Sequence, residues 1–402
     1  MAKKFVLEKA PFIRSADEQT LTTSQMMKYL VIALIPIIVF GWLKNGLLPY
    51  INQFMNLNTD LIPYLDSSIK VSLLEMLYPL IFVLCGGLFS IGLEGLYFFL
   101  FRYYFPNKYT TPKKDWNLKT IYNEVKYSYA VIPGLLLALI LPVNTPLYVL
   151  FFGCFFANIV FKMLYGGFGR NVFNPALIAY AIITLAFWGV ISENGGSLNA
   201  LEVVTGATPL NNFKNLSEMT YENAVAPYGN LWSFFLGFIP GAIGETSSIL
   251  IILAFVYLVI KKVITPIIPV FYVGTVFLIS TIIMFVNGYG IWYPLLQVLN
   301  GGLLFGAVFM ATEPVTTPRS PNGKAIYAIF VGIFTMIFRL FGSLPGGVGT
   351  AILLVCLFSG IIDRFSAKIR MHRTNYKNAL RYLLVLIVVG LLITYIVLRA
   401  KV

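Results

Sequence analysis

The chain has 402 residues, 58% of them hydrophobic and 11% charged, with a mean hydropathy of +0.81 and a formal net charge of +13. Soluble domains carry about 25% charged residues, so this composition excludes an ordinary soluble protein. The long continuous apolar runs exclude a β-barrel, whose strands alternate over segments of about ten residues. The positive charge is not a nucleic-acid footprint, because it collects in loops between apolar runs, where membrane orientation demands it.

Residues 1–26 are polar and mixed in charge, without the early apolar core of a signal peptide. They are expected to form a cytoplasmic N-terminal segment. A helix needs about 20 apolar residues to cross about 30 Å of hydrocarbon. Such runs follow at 27–43, 76–101, 128–142, 145–163, 173–192, 231–260, 264–286, 293–311, 325–341, 347–362 and 380–398. The predicted fold class is therefore an all-α polytopic membrane protein with about 10–11 transmembrane helices.

Charge orients these spans. Arg102, Lys108, Lys113, Lys114, Lys119 and Lys126 share one loop, and Arg364, Lys368, Arg370, Arg373, Lys377 and Arg381 share another. With a cytoplasmic N-terminus, both groups fall on the cytoplasmic side, as do Lys261, Lys262, Arg319 and Lys324. The 193–230 loop then lies outside the cytoplasm, and it holds Glu193, Glu202, Glu218 and Glu222 against Lys214 alone. Cys85, Cys154 and Cys356 sit in apolar runs without paired spacing, which supports neither disulfides nor a metal motif. His372, the single histidine, sits in a basic loop, which argues against a histidine-ligated haem in the membrane core.

The chain also repeats itself faintly. Pro146-Leu-Tyr-Val-Leu150 leads to the broken stretch Tyr165–Pro175, and Pro294-Leu-Leu-Gln-Val298 leads to the break at Met310–Pro318. Two five-span copies, 27–192 and 231–362, would have opposite topology because five is odd, as in many transporters. A basic cytoplasmic loop (363–379) and an extra transmembrane helix (380–402) would follow.

Chemistry concentrates at the breaks. In Gly166-Gly-Phe-Gly-Arg-Asn-Val-Phe-Asn-Pro-Ala176, three glycines allow sharp turns. Asn171 and Asn174 offer amides suited to a heteroaromatic edge, and Pro175 suits the start of a helix. The plain alternative is a capped interhelical turn. Glu94, Glu245, Glu313 and Asp363 lie in or beside apolar runs, where a carboxylate is expensive unless paired, hydrated or functional. Each is a candidate for an ion route. Glu245 follows the helix-breaking Pro240-Gly-Ala-Ile-Gly244, whereas Asp363, beside Arg364, reads first as an interfacial ion pair. In Glu202-Val-Val-Thr-Gly-Ala-Thr-Pro-Leu210, Thr208 presents a hydroxyl on a small, flexible turn.

Four segments in this order resemble one family: Gly166–Ala176, Thr205-Gly-Ala-Thr-Pro-Leu210, Ile239-Pro-Gly-Ala-Ile-Gly-Glu-Thr-Ser247 and Phe309-Met-Ala-Thr-Glu-Pro-Val-Thr316. The family is RnfD/NqrB, the large membrane component of ion-pumping Rnf and Na⁺-translocating NADH:quinone reductase complexes. The likeness covers roughly residues 10–365. It implies two inverted five-helix repeats and FMN joined through its phosphate to Thr208 by a flavin transferase. It further implies a second, non-covalent flavin (riboflavin or another) near Asn171 and Asn174, and cation passage involving Glu94, Glu313 and Asp363. Partners would be the other subunits of a membrane redox complex, including a second flavin-carrying subunit, in a bacterial cytoplasmic membrane.

There are departures from the family pattern. Glu202 stands where Asp is usual in the lead-in to Thr208, Glu313 replaces a common Asp, and the last span exceeds the usual ten. Ala-Thr-Pro-Leu and Val-Thr-Thr-Pro resemble the RnfD branch, whereas Gly-Arg-Asn and the lead-in around Arg14 resemble NqrB, the corresponding component of the Na⁺-translocating NADH:quinone reductase; RnfD is the preferred reading and NqrB the alternative. A secondary transporter or channel without a redox cofactor is the rival class.

Overall fold

A computed structural model describes residues 5–7, 13–15, 21–55, 71–104, 118–192, 220–371 except 240, 246, 301 and 343–346, and 376–400. Apart from a short antiparallel pairing of Phe5–Leu7 with Ile13–Ser15, the described elements are helical. Each of the eleven apolar runs contains an apolar helix, but their lengths differ. Five are long enough to cross a membrane unbroken: α1 (Thr23–Asn52), α2 (Leu73–Leu100), α7 (Ile267–Asn287), α9 (Pro321–Phe341) and α11 (Leu383–Ala400). Two are bent pairs, α8 (Trp292–Leu299 with Leu303–Met310) and α10 (Val348–Cys356 with Ser359–Ala367), at angles of 55° and 56°. Four are short: α3 (Val131–Ile140), α4 (Leu147–Met163), α5 (Pro175–Ala186) and α6 (Ser248–Ile260).

Among the described residues, four of the expected spans are thus met only by helices of 10–17 residues, and one of these departs from a single run. The 231–260 run is not one helix, because Gly237 at φ 101° ends the Leu231–Leu236 helix. A non-helical segment then runs to Ser248. It is pinned by neighbours: Gly244 N–H donates to the Leu139 carbonyl at 2.8 Å, and the buried Lys44 Nζ donates to the Ile239 carbonyl. These bonds satisfy backbone groups that the broken helix releases, the condition for irregular backbone at membrane depth.

Packing follows the small residues. At the α2–α3 crossing, a Cβ on Gly134 would collide with the Gly86 carbonyl and Ser90 Oγ, so the two backbones touch. With lipid tails as apolar as leucine, such close approach and interhelical hydrogen bonds hold membrane helices together. On the other side α7 packs along α9, where Tyr272 and Thr335 share a buried hydrogen bond of 2.7 Å. The interior is continuous between these groups, from Leu34 and Phe82 through Leu137 and Ile183 to Tyr272 and Val331.

The two breaks marked by the sequence are built alike. Each follows a stretch of π-helix, Phe156–Met163 or Gly306–Met310. Each ends at a capped helix with proline in its first turn: Asn174 caps α5 before Pro175, and Ser320 caps α9 before Pro321.

Candidate functional site

The two breaks meet. Asn174 Oδ1 accepts from Ala176 N–H at 3.1 Å and Leu177 N–H at 3.3 Å, which caps α5. Its Nδ2 reaches the Met310 carbonyl at 3.4 Å, across to the second break. Asn171 Nδ2 donates to Glu313 Oε1 at 3.3 Å, and Thr316 donates to Glu313 Oε2 at 3.4 Å. The expected turn geometry is present, with Gly166, Gly167 and Gly169 at φ 106°, 89° and 87°.

Between the breaks lies a cavity of about 120 Å³ that opens to the surface. Lys162, Asn171, Asn174, Thr312 and Glu313 supply its polar wall, and Tyr129, Phe168 and Phe309 supply aromatic surface. Tyr129 and Phe168 meet edge to face at 5.0 Å. The start of α1 closes one side through Thr23, Met26 and Met27. A reciprocal capping box between Thr22 and Gln25 fixes that start.

Backbone strain collects here. Among the described residues, the two non-glycine residues with positive φ are Tyr129 at 53° and Lys262 at 56°. Tyr129 lines the cavity and Lys262 precedes Val263, which also lines it. Such conformations persist only where surrounding structure enforces them, and they cluster at functional sites. Asn171 Oδ1 is buried without a hydrogen-bond partner among the described residues. A ligand N–H or O–H would remove that penalty.

Behind the cavity wall, α2 and α4 form a polar ladder with one step per helical turn. Cys154 Sγ lies 3.5 Å from the Gly86 carbonyl, Asn158 Nδ2 donates to Ser90 Oγ at 2.7 Å, and Lys162 forms an ion pair with Glu94. Glu94 is fully buried in this pairing. Its Oε2 has no geometric hydrogen-bond partner among the described residues, although the Ser128 hydroxyl lies beside it.

The other candidates go elsewhere. Asp363 accepts from Arg319 N–H at 2.9 Å and Ser320 N–H at 3.3 Å, which braces the second break from behind. The interfacial pairing expected for it is thus replaced by backbone bonds. Glu245 lies apart from the cavity, against Gly302 in the bend of α8. There the buried Arg339 donates to the Gln297 carbonyl, to Gln297 Oε1 at 3.1 Å and to the Asn300 carbonyl at 3.0 Å. Thr208 lies outside the described residues.

Reading the sequence for acids alone missed Lys162 and Arg339. Both stand inside apolar runs, where a basic residue is as costly as an acidic one, and that signal was available.

The family model for NQR2, RnfD, RnfE matches residues 6–372. The chain is 37% identical, over 60% of its length and 73% of the relative, to the D subunit of the proton-translocating ferredoxin:NAD(+) oxidoreductase complex of Clostridium ljungdahlii. It is 33% identical, over 59% of its length and 70% of the relative, to the D subunit of the Na(+)-translocating counterpart in Acetobacterium woodii. The B subunit of the Na(+)-translocating NADH-quinone reductase of Chromohalobacter salexigens is 33% identical over 62% of this chain and 60% of that protein.

Proposed function

The chain belongs to the NQR2, RnfD, RnfE family, and from that premise we propose that it is the RnfD-type electron-transfer component of an ion-translocating oxidoreductase complex. It works as one subunit among several in a bacterial cytoplasmic membrane, with its N-terminus cytoplasmic and the 193–230 loop outside. FMN is carried covalently on Thr208, placed there by a flavin transferase. The Thr205-Gly-Ala-Thr208 motif and the acidic balance of its loop support this. The inverted pairing of 27–192 with 231–362 belongs to the same reading, and the like construction of the two breaks supports it.

A second flavin, held without a covalent bond, occupies the cavity. The observation that carries this is the orphaned Asn171 Oδ1 on a wall that also offers Lys162 and the rings of Tyr129 and Phe168. The acceptor suits an imide-type N–H, the rings suit a flat heteroaromatic, and the ammonium suits charge gained by it. When bound, a flavin supplies one-electron exchange that the protein's own side chains cannot. Asn174 and Asp363 keep the two breaks in register, while Glu94, Glu313 and Glu245 serve the cation route.

Protein made together with a flavin transferase, then denatured and run on a gel, is expected to fluoresce as a flavin band, and Thr208→Val to abolish that band. An unchanged band in the variant refutes the attachment site. Flavin released on denaturing Thr208→Val protein tests the second site independently.

A further inference from the structure

Lys162 belongs to two sites at once. It lines the cavity between the breaks and lies within Coulombic reach of Glu313 there. It also pairs with Glu94 on α2, the last step of a ladder in which Asn158 Nδ2 is already held by Ser90 Oγ and the Cys154 carbonyl. The pair is almost wholly buried, with side-chain exposures of 2% and 0%. Glu94 therefore has no water to fall back on, and one of its oxygens lacks a geometric partner even with Lys162 in place. A lysine ammonium is a point charge on a flexible stem, able to turn between partners within its reach.

We propose that Lys162 is a shared positioning cation whose move between Glu94 and the cavity couples negative charge gained in the cavity to uptake of a monovalent cation at Glu94. This rests on the reading of the cavity as a flavin site. Charge added in the cavity draws the ammonium away from Glu94. A buried carboxylate left alone is strongly disfavoured, so the departing ammonium is replaced by Na⁺ or a proton. Loss of the added charge returns Lys162 to Glu94 and expels the cation. The balance is one electron arriving from the partner redox subunit and one monovalent cation taken up. Lys162 keeps its protons throughout, and no covalent bond changes except the carboxyl O–H if the cation is a proton. The cation's affinity then differs between the two redox states, which any coupled ion movement requires.

The experiment is an equilibrium redox titration of the non-covalent flavin in the assembled complex, in the Thr208→Val background, so that this chain's covalent FMN is absent. The cavity flavin is assigned by its loss on Asn171→Leu. Lys162→Met is expected to make the cavity flavin harder to reduce, and Glu94→Gln to make it easier by releasing the lysine toward the cavity. Each shift should be about tenfold in the ratio of reduced to oxidised affinity, or about 59 mV for a one-electron couple. A structural defect alone would push both variants the same way. The double variant Lys162→Met/Glu94→Gln removes both charges together and gives the effect of Lys162 by comparison with Glu94→Gln should the single lysine variant fail to assemble. In the parent, added NaCl at fixed pH should raise the potential if Na⁺ is the cation, and falling pH alone should raise it if a proton is. Neither response should survive Glu94→Gln. Shifts of the same sign, or a potential indifferent to both cations, overturn the proposal and leave the cavity flavin standing. No flavin released from Thr208→Val protein overturns both.

Discussion

Two buried cations in this molecule do opposite things with similar charge. Lys162 meets one carboxylate and an open cavity, whereas Arg339 is spread over Gln297 and the Asn300 carbonyl at the bend of α8, with Glu245 lying over Gly302 nearby. The rigid guanidinium fork suits a fixed set of acceptors, and a lysine ammonium suits exchange. The Arg339 region is thus a tied joint that lets a membrane helix bend without stranding its carbonyls. The Lys162 region is a joint left loose on one side. Burial alone does not distinguish them; the number and kind of partners does.

The largest effect is expected at Arg339. Arg339→Met is expected to cost about 3–5 kcal/mol, since it strands buried carbonyls at the α8 bend and leaves Glu245 without its nearby positive charge. It should be read as loss of folded protein in detergent on a melting curve. Adding Glu245→Gln should recover little, because the carbonyls stay unpaired. Adding Glu94→Gln to Lys162→Met should recover most of the loss, because that pair has little else attached. Equal recovery at both places would erase the distinction.

A smaller effect tests the packing that frames the lysine. Gly134→Val puts side-chain atoms against the Gly86 carbonyl and should destabilise by about 1–3 kcal/mol through overpacking, seen as a lower melting temperature. Asn174→Ala removes the α5 cap and the bridge to Met310, for about 1–2 kcal/mol, with a loss of non-covalent flavin. Asn174→Asp, which keeps the cap and loses the bridge, should melt nearer the parent and still lose flavin. Asp363→Asn weakens the brace on Arg319 and Ser320 by about 1 kcal/mol. It should leave the cavity flavin's potential unchanged, because Asp363 does not line the cavity.

Much of this architecture was legible in the residues because each signal was local. Apolar runs marked where helices lie, though four of those helices are shorter than a full span; Gly166–Gly169 marked the first break, and Asn174-Pro175 marked a helix start. Lys162 was equally visible as a charge in an apolar run, yet its partner stands 68 residues away on another helix, and no local pattern joins them. Asp363 misled for the same reason: its neighbour Arg364 suggested a pair, while the backbone N–H groups it holds belong to a segment 43–44 residues earlier.

Hydropathy placed this chain in a bilayer, and glycine and proline marked where several of its helices break, because those signals act within a few residues. It took the folded chain to show that the two breaks face one another, that Glu94 is matched by Lys162, and that the segment after Gly237 is held by the Leu139 carbonyl and by Lys44. Those outcomes depend on which buried polar groups can reach each other once water is excluded, and that is settled by packing across the whole chain.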